Sequence, residues 1–185
     1  MSETKVVFKQ LVRFSYANVF EPRASEEGGK LKYSVSILIP KSNTADLAAV
    51  RKAIAAATEE GKTSKFGGKI PQVNFKNPLR DGDLEKEGDP TYEGCYFINA
   101  TSVNKPGLVD ANLNPILDKA DFYSGCWGRA AVNFFPFNNN GNKGIACGLN
   151  NIQKVKDGEP LGGSASRPET DFAEFATADE NDFLN

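Results

Sequence analysis

The sequence predicts a small all-β barrel with one helix, followed by an acidic C-terminal segment without regular structure. Three observations lead there. Apolar residues alternate with a period of two over short runs separated by Gly, Pro and Asn; one Ala-rich run has helical spacing; residues 164–185 show no period at all. The resulting order is strand, strand, helix, strand and terminal hairpin. Five or six strands with a single helix fit a barrel better than a parallel sheet.

Each element has its own signal. Residues 5–16 (KVVFKQLVRFSY) are β-branched, aromatic and partly alternating, and read as a strand. Glu21 to Lys30 is a polar turn region. Residues 31–39 alternate most cleanly, with Leu31, Tyr33, Val35, Ile37 and Ile39 on one face and Lys32, Ser34 and Ser36 on the other; Pro40 stops the run. Asn43 or Thr44 then caps a helix, with Asp46 in its first turn and Leu47, Val50, Ile54 and Ala57 at helical spacing, ended by Gly61. Residues 62–80 form a long connector, Asp81–Glu93 an acidic one, and Gly94–Val103 a strand. Residues 121–137 read as one long strand bent at Gly125 or Gly128. The Asn/Gly turn at 138–141 leads into the partner strand 143–156. The barrel domain is residues 1–163 and the tail residues 164–185.

Composition excludes several chemistries. The 185 residues contain no His, which removes imidazole-based nucleophile systems and the commonest metal ligand. Three Cys (95, 126 and 147) have no CxxC spacing, so free buried thiols in a reducing compartment are expected. No phosphate-binding GxxxxGK[ST] motif occurs. The acidic run Asp81, Asp83, Glu85, Glu87, Asp89 fails the EF-hand pattern, with Lys86 at the Gly position and Tyr92 at the terminal Glu position, and reads as a solvated loop. No apolar run is long enough to span a membrane and no secretory leader is evident, so a cytosolic protein is expected. The reading is of a non-enzymatic protein that needs no metal or cofactor.

Charge is unevenly spread. The chain carries 22 bases and 24 acids, yet Pro168–Asn185 holds six acids (Glu169, Asp171, Glu174, Asp179, Glu180, Asp182) and no base. The remainder is therefore basic by about four charges, as a polyanion-binding domain with its own anionic competitor would be.

Cations that track phosphates and flat rings that stack on bases are the two devices of single-stranded nucleic-acid binding. In the 121–137 run the even positions are small and apolar and suit a barrel interior. The odd positions place Tyr123, Trp127 and Phe135 beside Arg129. These rings either form a stacking platform or pack under the helix or at a dimer contact. The connector combines Lys62, Lys65, Lys69, Lys76 and Arg80 with Phe66 and Phe75. It either closes over a strand of DNA or tucks its rings into the core. Lys32, Lys105, Lys143, Lys154 and Lys156 are further candidates for phosphate contact. In the tail, Phe172, Phe175 and Phe183 alternate with acids. Asp179, Glu180, Asp182, Phe183 and Leu184 suit docking on a basic, apolar-pocketed partner, and the tail can also compete for the protein's own DNA groove.

These residues resemble a known family. The stretch 121–163, with its YSGCW, Asn/Gly hairpin, GLNNIQKVKDG and LGG pieces, is similar to the C-terminal half of phage single-stranded DNA-binding proteins related to the helix-destabilising proteins of podophages. LKYSVSILIPK before an Ala-rich helix, and FINATSVNKPGLVD, resemble the same group, so the likeness covers roughly residues 5–163. It implies an OB-fold that coats single-stranded DNA with little sequence preference in replication and recombination, in the cytoplasm of a bacterial host. It also implies a tail that meets replication proteins, a phage polymerase or helicase. Phe183 is followed by two further residues, which departs from the acidic tip with a penultimate Phe found in host-type proteins. Homodimers and cooperative oligomers on DNA are both compatible with the likeness. The rival reading is a phage interaction protein whose barrel holds a protein partner through its aromatic residues.

Overall fold

In the computed structural model, which describes residues 3–24, 27–161 and 172–175, a ring of five strands closes around one core. The strands are β1 (Lys5–Val7), β2 (Val12–Ala24), β3 (Leu31–Pro40), β4 (Phe75–Lys76), β5 (Arg80–Asp81), β6 (Cys95–Ser102), β7 (Gly107–Val109), β8 (Trp127–Asn139) and β9 (Asn142–Lys156). Two helices, α1 (Thr44–Ser64) and the single turn α2 (Gly82–Glu85), lie between β3 and β6. Around the ring the order is β2, β3, β6, β9, β8 and back to β2, with β6 and β9 parallel and the other neighbours antiparallel. That is the OB-type barrel, in which closure removes the exposed edges of the long strands. The four short strands decorate it: β1 beside β8, β4 and β7 beside β9, β5 beside β6.

The interior follows the alternation. Val35, Ile37 and Ile39 of β3, Ile98 and Ala100 of β6, and Ala130, Val132 and Phe134 of β8 all point inward with Ile145, Cys147, Leu149 and Ile152 of β9. Phe8, Phe14 and Phe134 are fully buried there, each worth roughly 1.5–3 kcal/mol of apolar burial, which accounts for part of the unusual Phe content. The free thiols of Cys126 and Cys147 are pushed up in pKa by that burial.

Three boundaries differ from the sequence reading. The run 5–16 is two strands, and β2 continues to Ala24 through the stretch read as a turn. The long strand begins at Trp127 and not at Asp121, because 121–126 form turns pinned to β2 by the Gly125 N–H donating to Phe14 O. Helix α1 runs past Gly61 to Ser64. Gly61 does not end it; a Cβ there would sit 2.5 Å from both the Phe66 ring and Pro136, so the glycine lets the helix dock on β8. The acidic connector also differs from a fully solvated loop, since Lys41 bridges Asp81 (2.9 Å) and Asp83 (2.7 Å) and Arg80 pairs with Glu85 (2.7 Å).

One buried carboxylate ties the first strand to the helix. Asn43 caps α1 by accepting from the Asp46 N–H, and its amide donates to Asp46 Oδ2 at 2.8 Å. The same carboxylate accepts from the N–H groups of Lys9 (3.1 Å) and Gln10 (2.9 Å) in the β1–β2 link. Asp46→Ala strands these donors, and we expect a loss of about 2–4 kcal/mol, read as a lower urea midpoint at unchanged m-value. A midpoint within experimental error of the parent would contradict this role.

Candidate nucleic-acid interface

The polar face of β3 lies outside the barrel and is paired in register with β6. Leu38 faces Phe97, Ser36 faces Asn99 and Ser34 faces Thr101. Because inward and outward residues alternate, these pairs form the floor of a trough while their neighbours build the core. At the closed end Tyr92 packs edge-on against Phe97 with ring centroids 5.1 Å apart, and Leu38 joins them in a small second cluster. Burial raises the pKa of the Tyr92 phenol, partly offset by its hydrogen bonds to Ser15 and Ser36. Ser36 in turn donates to Asn99 Oδ1.

Three concavities of about 610, 240 and 560 Å³ join along this floor, sharing Ser34, Asn99, Arg80 and Thr101. One flank is β2, whose register with β3 shifts between Ser15 and Asn18 and again before Arg23. Such irregularities re-aim side chains. Tyr16 sits in the first of them with φ +47°, and its ring is 65% exposed at the trough wall. The other flank is the β4–β5 segment and the β8–β9 hairpin, with Lys76, Pro78 and Phe137. The lining carries six cations (Arg23, Lys30, Lys32, Lys76, Arg80, Lys86) against one carboxylate, Glu85, which is already paired with Arg80.

The sequence-predicted residues divide. Lys32, Lys76 and Arg80 come together in this trough. Phe66 does not face it: the ring is 4% exposed, packed edge-on against Phe75 in the core, so it cannot stack on a base. Lys62, Lys65 and Lys69 are exposed around the end of α1, where the Lys65 carbonyl accepts from Asn138 of the hairpin. Lys143 pairs with Phe75 and Asn138, Lys105 lies over Phe20, and Phe135 is 41% exposed on the outer face of β8.

Tyr123, Trp127 and Arg129 lie where β8 leaves the turn, a strand away from β3 and β6 on either side of the ring. They clasp the barrel. Arg13 and Lys156 lie 5.6 and 5.4 Å from the Trp127 ring centre, and Gly158 packs on its edge. Arg13 donates to the carbonyls of Gly125 and Glu159, and Arg129 to the carbonyl of Lys9. The Tyr123 hydroxyl donates to Asp157 at 2.9 Å, and Lys154 holds the same carboxylate at 2.6 Å, which keeps Asp157 below the usual carboxylate range. The tail residues Asp179, Glu180, Asp182, Phe183 and Leu184 lie outside the described residues.

Tyr16, Arg23, Lys30, Lys86 and Asn99 also line this trough and were not among the sequence-predicted residues. The available signal was the polar half of the β3 alternation. The signal for Tyr16 was absent, since nothing local marks the strand irregularity that turns its ring outward.

The barrel is shared with known proteins. The family model of the ssDNA-binding protein of Enterobacter phage Enc34 matches residues 4–184. Protein p50 of Acyrthosiphon pisum secondary endosymbiont phage 1 is 32% identical over 178 residues, covering 94% of this chain and 95% of that one. Among solved structures, the single-stranded DNA-binding protein from bacteriophage Enc34 in complex with ssDNA superposes with a TM-score of 0.75 at 26% identity, over 87% of this chain and 91% of that one. The single-stranded DNA-binding protein gp2.5 of bacteriophage T7 shares the fold at 15% identity, with a TM-score of 0.60 over 95% and 97% of the two chains. A barrel of this topology, matched along nearly its whole length, makes the chain a member of the Enc34 ssDNA-binding protein family.

Proposed function

We propose that this chain coats single-stranded DNA without sequence preference during phage replication and recombination, in the cytoplasm of the bacterial host, by laying the strand along the trough over β3 and β6. The observation that carries this reading is the continuous groove with six cations, a single neutralised carboxylate and an exposed tyrosine ring at its wall. Cations on both rims neutralise phosphates, and the ring offers a face to a base irrespective of its identity. The floor of hydroxyl and amide groups at Ser34, Ser36, Asn99 and Thr101 accepts any base edge or sugar. Binding, not catalysis, is the work of this family.

Tyr16 is the ring placed to stack. A non-glycine residue at positive φ is held by its surroundings at a conformational cost, and such strain concentrates at functional positions. The Trp127 group has another task, holding the turn and the segment after β9 against the barrel. The acidic segment Pro168–Asn185, with its phenylalanines, supports a further contact with basic surfaces of replication proteins such as a polymerase or helicase.

Two outcomes test the trough. Tyr16→Ala should weaken oligo(dT) binding, measured by fluorescence anisotropy, by roughly 5- to 150-fold, the equivalent of about 1–3 kcal/mol per stacked base. Trp127→Phe should stay within about two-fold of the parent. The reverse ranking would move the site to the β8 face. In a salt titration, Arg23→Ala and Lys32→Ala should each reduce the slope of log K against log salt by about 0.7, the contribution of one phosphate on a single strand. An unchanged slope in both would remove these cations from the path.

A further inference from the structure

The trough ends beside two surfaces of opposite character, and β9 holds them apart. Lys143, near the start of β9, pairs with β4, and Ile152, towards its other end, pairs with β7. Nine residues of extended strand separate the two, roughly 30 Å. The Arg23 and Lys30 end of the trough lies by the loop that follows β7, because Lys119 of that loop holds Glu21 at 2.7 Å, two residues before Arg23. The Lys76 and Phe137 end lies by the β8–β9 turn and the end of α1, where the Asn138 amide donates to the Lys65 carbonyl.

The loop 110–121 displays leucine. Asp110 closes it: the carboxylate accepts the N–H groups of Asn112 and Asn114 at 2.9 and 3.0 Å, and the carbonyl accepts that of Leu113 at 3.0 Å. Ile116 anchors the loop in the core. Leu113 is thereby held at φ +66° with 70% of its surface exposed, and Leu117 is 85% exposed. Glycine or asparagine fills such a left-handed position with less strain, so a leucine there gains only where a partner covers it. Asp118 and Asp121 are exposed in the same loop. Its Lys119 is taken up by Glu21, and Lys105 nearby is drawn over the Phe20 ring.

The opposite end is basic. Lys62, Lys65, Lys69 and Lys143 outnumber Glu59 and Glu60 of the last turns of α1. Among the described residues none of the four lysines is paired with a carboxylate. Between them the segment 67–74 exposes Val73 at 75%, with Ile70 and Pro71 half-buried beside it.

We propose that these two ends meet between consecutive copies of this chain on one DNA strand, the leucine loop of one copy against the 67–74 segment of the next. The proposal rests on the trough as the path of the strand. A second copy is the occupant because the ends complement each other: leucines with acids on one, a valine with lysines on the other, each placed where the strand leaves or enters a trough. The two patches are different surfaces, so the contact is head-to-tail, and its repetition gives an open filament along the DNA and not a closed dimer. A contact of a few apolar side chains and ion pairs is weak between free copies. It becomes effective when the strand holds neighbours side by side, which makes coating cooperative.

The test compares the full chain on a short oligo(dT) that one copy fills with the same chain on long poly(dT). The parent should bind the long strand about ten-fold or more tighter per site, with a cooperative isotherm. Leu113→Gly combined with Leu117→Ser should bring the two affinities within about two-fold of each other, with short-oligo binding unchanged. Lys65→Glu with Lys69→Glu should do the same at physiological salt, and so should Asp118→Lys with Asp121→Lys. Joining both charge reversals in one chain restores complementarity and should restore the cooperative isotherm. Equal affinity of the parent for both lengths, leucine variants as cooperative as the parent, or a joined reversal that stays non-cooperative while it binds the short oligo would each overturn the proposal. A parent chain that fails on the short oligo would strike the reading of the trough itself, and this contact with it.

Discussion

The register between β3 and β6 is the constraint on which the rest depends. Eight consecutive pairs, from Tyr33 with Ser102 to Pro40 with Cys95, fix which side chains face inward. A slip of one residue on either strand would carry Ser34, Ser36 and Asn99 into the core and Val35, Ile37 and Ile98 out of it. The apolar half of the alternation sets the register through burial, and the polar half is thereby delivered as an ordered row on the outside. Core and trough are two faces of one pairing decision, so the proposed site needs no separate scaffold.

Much of this was legible in the sequence because burial writes itself in periods. The β3 alternation, the even-numbered interior of β8, the Asn43 cap and the hairpin at 138–141 all follow from local rules, and the barrel follows from their order. What escaped depends on partners distant in the chain. Gly61 looks like a helix stop until Phe66 and Pro136 are seen against it. The alternation in the sequence marks Trp127 and Arg129 but not the groups that the fold places around them: Arg13, Lys156, Gly158 and the Lys9 carbonyl. Conversely Arg23, Lys30 and Lys86 look like ordinary surface charges, and only closure of the ring and folding of the 82–94 connector bring them to one groove.

The same separation organises the electrostatics. Three acids beside the trough are paired with cations: Asp81 and Asp83 with Lys41, Glu85 with Arg80. The lining of the trough is therefore basic, with six cations against Glu85, although the chain as a whole is slightly acidic. Formal charge of the whole protein is a poor guide here, because a polyanion meets the local field.

The most direct measurement is photo-crosslinking of an oligo(dT) carrying 5-iododeoxyuridine at successive positions, with the adducts mapped to residues. The account predicts adducts on Tyr16 and on the peptides of β3, β6 and the hairpin around Phe137, with Trp127 and Tyr123 unmodified. Adducts concentrated on Trp127 and Tyr123, with Tyr16 untouched, would contradict it.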